Sequence, residues 1–137
     1  MAYGFNSDKT MANMISQDEY QTLARVEYKS VGGSVVLVQN NTLTDLTEIS
    51  LPGSGIYIVR VKYNFNNTAY PSGHRRLIVS SNSTANTWDA DVMGSGNDYV
   101  SATIIYRGSG KIYVKALQNS GGALVCTPMN VEYVRLY

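Results

Sequence analysis

From residue 34 to residue 137 the apolar positions recur mainly with a period of two, the spacing that places alternate side chains on one face of a β-strand. The clearest case runs from Ile56 to Phe65. There Tyr57, Val59, Val61, Tyr63 and Phe65 share one face, while Arg60, Lys62 and Asn64 turn part of the other to water. Tyr99 to Arg107 repeats the pattern with Val100, Ala102, Ile104 and Tyr106. Between Arg107 and Cys126, Ile112, Val114 and Ala116 oppose Tyr113, Lys115 and Leu117. Turns at Gly108–Gly110 and Asn119–Gly122 flank that run, which predicts an antiparallel meander. Val35–Gln39, Leu43–Leu51, Arg76–Ser80 and Met129–Tyr137 bring the total to about eight strands. Pro52-Gly53-Ser54-Gly55 is a turn, and residues 84 to 98 read as a long polar connection.

The first 33 residues follow another pattern. Residues 1 to 15 are aperiodic and predict an extended lead-in. Ser16-Gln17-Asp18-Glu19 is a capping-box sequence, and Tyr20, Leu23, Ala24 and Tyr28 follow at helical spacing. This predicts one helix of about ten residues, ended by Gly32-Gly33. So short a helix is marginal alone in water and needs a surface for its apolar stripe. That surface belongs either to its own domain or to a neighbouring subunit. Two segments result: a lead-in with a helix over 1–33, and an all-β antiparallel sandwich or barrel over 34–137. Strands that do not alternate with helices exclude a parallel α/β sheet.

Composition adds a surface character. Charged residues make up 15% of the 137 and apolar ones 44%, with 11 tyrosines and a formal net charge of +1. Charge that low and that balanced gives no field to draw in nucleic acid or an anionic membrane. No run approaches the length of a bilayer-spanning helix, so membrane insertion is not expected. The start of the chain lacks the pattern of a secretory signal. Cys126 is the single cysteine, which precludes an internal disulfide. Its place between Val125 and Thr127 predicts a buried, inert thiol.

Candidate chemistry is sparse, and the chain is expected not to be an enzyme. His74, the one histidine, sits in a Ser-Gly-His-Arg-Arg loop and finds no second histidine for a metal triad. Asp89, Asp91, Asn97 and Asp98 cluster after Trp88, but the terminal glutamate of a calcium loop is missing. No metal and no cofactor is expected. Trp88 with Asp89, Asp91 and His74 marks the loops where a ligand would sit, although Trp88 as a plug of the sandwich end fits equally well. A glycosidase would need two carboxylates across one cleft, and Asp45, Glu48 and Glu132 are the strand-borne candidates. Tyr57, Tyr63, Tyr106 and Tyr133 fall on apolar strand faces. Because a buried phenol requires a partner, they read either as a surface buried on assembly or as core residues with wet hydroxyls.

The order of these features resembles a known family: the trimeric jelly roll of complement globular heads and tumour-necrosis-factor-like proteins, in its bacteriophage fibre-head form. The resemblance covers residues 34 to 137. Gly55-Ile56-Tyr57-Ile58-Val59 after a Pro-Gly turn is similar to the family's Gly-x-Tyr strand. Ser81-Asn82-Ser83 is similar to its Asn-Gly turn, and Val100–Tyr106 with Ile112-Tyr113-Val114 to its paired penultimate strands. Gln118 to Gly122, Leu124 and the closing Val131–Leu136 strand continue the match. Tyr3-Gly4-Phe5-Asn6-Ser7-Asp8-Lys9 resembles the lead-in of small phage and prophage structural proteins. Two motifs depart from it, since Gly110-Lys111 replaces Gly-Asp and Met129-Asn130-Val131 replaces Phe-Ser-Gly-Phe. The resemblance implies a jelly-roll β-sandwich of about 8–10 strands that forms a homotrimer. It also implies a virion location after synthesis in a bacterial cytoplasm. The implied role is a fibre or tail head domain that binds a host-surface glycan or protein receptor. A capsid-decoration or baseplate module without a receptor is the alternative.

Overall fold

The computed structural model describes residues 27–66, 68–83, 90–95 and 98–137. Nine strands form among them: β1 (Glu27–Ser30), β2 (Val36–Val38), β3 (Thr44–Ser50), β4 (Gly55–Asn66), β5 (His74–Ser80), β6 (Ala90–Ser95), β7 (Asp98–Gly108), β8 (Lys111–Gln118) and β9 (Leu124–Arg135). They build two antiparallel sheets. The first has the order β1-β9-β4-β7, with β2 also on β9; the second has the order β3-β8-β5-β6. Among the eight strands from β2 onward the pairings are nested: β2 with β9, β3 with β8, β4 with β7 and β5 with β6. This is a long hairpin rolled up on itself, a jelly roll. The all-β sandwich expected from the alternation is therefore the fold. The expected helix lies almost wholly outside the described residues, except that Tyr28, given to it above, lies on strand β1.

The alternation of β4 forms the centre of the core. Tyr57, Val59, Val61, Tyr63 and Phe65 are all buried, and they meet Ile49, Leu77, Val79, Ile112, Val114 and Ala116 of the facing sheet. Losing one large aromatic from such a core typically costs about 3–5 kcal/mol, against roughly 5–15 kcal/mol for a whole domain. Cys126 is buried in the same cluster, as its place in a strand-like run between Val125 and Thr127 predicted.

Three expectations need correction. The meander between Arg107 and Cys126 is not a meander, because β7 and β9 belong to the first sheet and β8 to the second. Its Gly-rich turns cross from one sheet to the other, so the supposedly paired penultimate strands never pair. The polar connection at 84–98 contains a strand, β6, whose Ala90–Ser95 run lacks strong alternation but pairs along β5. The final strand begins at Leu124 rather than Met129.

Irregular pairing explains the last point. Lys62 faces Asn130 while Tyr63 faces Pro128, so Met129 is an extra residue on β9. A bulge inverts which parity points inward: Leu124 and Cys126 face the core before it, Val131 and Tyr133 after it. Pro128, which cannot donate to a ladder, sits beside the irregularity. A second bulge between Asp45 and Thr47 lets Leu46 and Ile49, of opposite parity, both be buried.

The rings proposed as an assembly surface lie elsewhere. Tyr57, Tyr63 and Tyr133 are buried by their own chain, and Tyr106 is half-buried against the core. Their partners are internal. The Tyr57 hydroxyl donates to Gly53 O at 2.5 Å, its ring meets Tyr133 edge-on at 5.6 Å, and the Tyr106 hydroxyl donates to Ser109 O. They offer a second copy little surface, since core packing already uses them. Tyr63 is the exception in polarity: its hydroxyl is buried without a hydrogen-bond partner. Tyr63→Phe removes that unpaired phenol, so it is expected to leave stability unchanged or raise it by about 1 kcal/mol. Urea denaturation of both proteins checks this, and a loss of stability would mean that the hydroxyl is paired.

Candidate functional site

The strand directions gather the loops at two opposite ends of the sandwich. At one end lie the β2–β3, β4–β5 and β8–β9 connections; at the other lie β3–β4, β7–β8 and the residues after β9. The first end is held together by Gln118, the last residue of β8. Its buried amide nitrogen donates to Val38 O at 2.9 Å and Gly122 O at 2.7 Å. Its oxygen accepts from Ser120 N at 2.7 Å and Ser120 Oγ at 2.6 Å. One side chain thus ties β2, β8 and the β8–β9 turn together. Asn41 N donates to Gln118 O and Gly121 N to Asn40 Oδ1, which docks the β2–β3 loop onto the same turn.

The β4–β5 loop is secured from beneath. Arg75 is fully buried and its guanidinium donates to the carbonyls of Tyr70, Ser72 and Gly73. Its burial disfavours the charged form and lowers its pKa from the usual arginine value. The Tyr70 ring lies over Gly122, where an added Cβ would stand 2.2 Å from it. Only glycine leaves that ring its seat. His74 N donates to Asn119 Oδ1 at 2.6 Å, joining this loop to the others.

These contacts frame a cleft of about 260 Å3 lined by Asn41, His74, Arg76, Met93, Leu117, Gln118 and Asn119. Its strand portion comes from one cross-strand row on the outer face of the second sheet, Met93–Arg76–Leu117. Met93 is 57% exposed and provides an open apolar wall. Arg76 is clamped by Asp91, Nε to Oδ1 at 3.2 Å and Nη2 to Oδ2 at 2.5 Å, and this bond raises its pKa further. The guanidinium is therefore held as a planar, oriented donor.

Of the residues singled out from the sequence, His74 lines this cleft, and Asp91, on strand β6, reaches it through Arg76 of β5. Trp88 and Asp89 lie outside the described residues, as does Asn97. The structure also contributes residues that sequence reasoning missed: Asn41, Arg76, Met93, Leu117, Gln118 and Asn119. Their only signal was that Asn41 and Asn119 stand in turns, and that Gln118 ends an alternating run. Among the described residues no group of three or more His, Cys, Asp or Glu side chains comes together as a metal site. Asp45 and Glu48 face outward on the second sheet, paired with Lys115 at 2.5 Å and Lys111 at 2.8 Å. Glu132 lies on the other sheet beside Arg60. The three carboxylates considered for glycoside hydrolysis therefore share no cleft.

No family model matches the chain, and no curated protein does. Among solved structures, the chain is similar to TmCBM61 in complex with β-1,4-galactotriose, at 14% identity over 80% of this chain and 86% of that one, with a TM-score of 0.37. It is also similar to the CBM36-1 domain of a multidomain xylanase from the hindgut metagenome of Trinervitermes trinervoides. There the identity is 12% over 74% of this chain and 94% of the other, with a TM-score of 0.33. At such scores the likeness carries no argument about a ligand, and the jelly roll rests on the strand pairings themselves.

Two tests follow from the site and its surroundings. Gln118→Leu leaves two carbonyls and the Ser120 donors without their partner, which is expected to cost about 2–4 kcal/mol by chemical denaturation. It is also expected to speed amide exchange across 119–122. The second test concerns the buried ionisable groups. Burial raises the Cys126 thiol from 9.0 to about 12 and the Tyr63 phenol to about 12, with burial the larger cause in each. Both groups hold their protons more tightly folded than unfolded. Stability is thus undiminished by them below about pH 9 and falls as pH rises from about 9 to 12. A Cys126→Ala variant is expected to show a shallower alkaline decline than the parent, whatever its stability at neutral pH. Denaturation at a series of pH values measures the two slopes.

Proposed function

We propose that this chain is a non-enzymatic binding module, the jelly-roll head of a trimeric phage or prophage structural protein, which attaches to a glycan or protein group on a host surface. The observation that carries the binding reading is the cleft at the Gln118 end. An apolar wall of Met93 and Leu117 stands beside amides at Asn41 and Asn119 and an oriented guanidinium at Arg76. A sugar offers apolar C–H faces edged by hydroxyls, and this combination suits it. The phage context and the virion location come from the sequence resemblance. Three such clefts on one assembly would add avidity to a weak single site.

For assembly, the supporting observation is on the outer face of the first sheet. Tyr28, Val134, Ile58 and Ile105 form one continuous cross-strand row. Tyr28 is 61% exposed and Ile105 77% exposed in the single chain. The adjoining row carries Glu132 and Arg60, which pair with each other within the chain. This face also favours a second reading, a purely structural module, since it would serve assembly with no receptor at all.

One pair of variants tests both halves. Light scattering is expected to give about three times the 15.0 kDa chain mass for the parent and a monomer for Ile105→Lys. A monomeric parent at micromolar concentration removes the trimer. Labelled parent protein is expected to bind host cells, and Met93→Arg to lose about tenfold or more of that binding while staying trimeric. A trimer that binds no host supports the purely structural reading.

A further inference from the structure

The Gln118 end of the sandwich carries an aromatic ring that the cleft does not use. Tyr70, in the β4–β5 loop, is 39% exposed, and its hydroxyl makes no hydrogen bond to a described residue. The ring is nevertheless held. It rests on the bare backbone of the β8–β9 turn, where three of its atoms would lie 2.2, 2.2 and 2.7 Å from a Cβ on Gly122. The Tyr70 carbonyl accepts from Arg75 Nη2 at 2.8 Å, and that guanidinium belongs to a fully buried side chain. Main chain below and ring above are therefore both seated, while part of the ring stays open to solvent. A tyrosine fixed in this way has little rotamer freedom left to lose on binding a partner.

The ring and the cleft are built by the same two loops. Asn119 opens the β8–β9 turn and lines the cleft, and Gly122, three residues on, carries the ring. Three residues of chain span at most ~11 Å. Between these points the loops close on each other. Asn119 N donates to His74 O, and a Cβ on Gly73, whose φ is +93°, would stand 2.8 Å from Ser120 Cα. The cleft itself is small. Its volume of about 260 Å3 falls below the roughly 300–1,000 Å3 of sites that enclose a drug-sized molecule. It has room for one sugar unit, and the next unit of a longer chain must lie outside it.

We infer that Tyr70 is a second subsite, on which the next unit of an oligosaccharide packs while the first unit occupies the cleft. The ligand class is then a sugar chain of two or more units, and a single terminal sugar is only part of it. The ring offers a flat apolar face to the C–H face of a sugar, and its unpaired hydroxyl offers a donor and acceptor to a sugar hydroxyl. This inference rests on the reading of the cleft as a sugar site and adds a length requirement to it.

The test is a set of titrations of the whole chain, followed by the backbone amide signals of Tyr70, Leu117, Asn119 and Gly122. The probes are glucose, galactose, xylose and N-acetylglucosamine, each as the free sugar and as its β-1,4-linked di- and trisaccharide. Signals at Leu117 and Asn119 are expected to shift with every length of the sugar that binds. Those at Tyr70 and Gly122 are expected to shift only from the disaccharide on. The disaccharide is expected to bind about tenfold or more tighter than the single unit. Tyr70→Leu is expected to bring the ratio of those two affinities to about one, and Tyr70→Phe, which keeps the ring, to hold it near the parent's. No gain with length, or a gain that Tyr70→Leu leaves intact, would overturn the second subsite while the cleft reading stands. Absence of saturable shifts with every probe would overturn both.

Discussion

Strand β4 is hydrogen-bonded along almost its whole length on both sides, to β9 and to β7, and its five inward residues occupy the middle of the core. That double pairing is the constraint on which the rest depends. It fixes the register of the first sheet, and a slip of one residue would turn Tyr57, Val59, Val61, Tyr63 and Phe65 to water at once. It also sets where β7 and β9 begin and end. The second sheet then has one way to cover this surface, with Leu77, Val79, Ile112, Val114 and Ala116 facing inward.

The strength of the alternation explains what the sequence made legible. Strand β4 and the inward face of β7 read directly, because each residue pair there obeys one parity from end to end. The two bulged strands did not. Leu46 and Ile49 lie on opposite parities, as do Cys126 and Val131, so a reader tracking a period of two sees a loose pattern in β3 and a false break in β9. A bulge depends on the partner strand, and local sequence carries little trace of it beyond Pro128. Strand β6 was hidden for another reason. At the sheet's edge its residues need bury only one flank, so Asp91 and Gly94 are tolerated inside a strand. The turns misled in a third way. Gly108-Ser109-Gly110 has the composition of a hairpin, yet composition does not say whether a reversal joins neighbours in one sheet or corners of two.

The sites were less legible than the fold. Asn41, Arg76, Met93, Leu117 and Asn119 come from separate stretches of chain, and only the pairing of β5 with both β6 and β8, beside that of β3 with β8, brings them together. His74 stood out because it is unique. Gln118 did not, since a glutamine at the end of a strand has no distinctive signature. Its importance lies in four hydrogen bonds, three within its own β8–β9 turn and one that ties that turn to β2. Tyr70 was equally silent, since its seat on Gly122 is a property of packing and not of spacing.

One consequence of the β1–β9 pairing concerns how the module is mounted. Because Glu27 lies across from Arg135, the chain enters and leaves the sandwich side by side at a single pole. Anything joined at Glu27 holds the domain by that pole. Strand β4 runs from this pole for 12 residues, ~40 Å at ~3.3 Å each. The Asn41–Asn119 rim therefore stands at the far tip, like the head of a pin, away from Glu27 and Arg135. A load drawn between the two chain ends would peel β1 from β9 one hydrogen bond at a time and spare the core. A load applied at the tip would act along β4 and its neighbours in shear, the direction in which many backbone bonds must yield together.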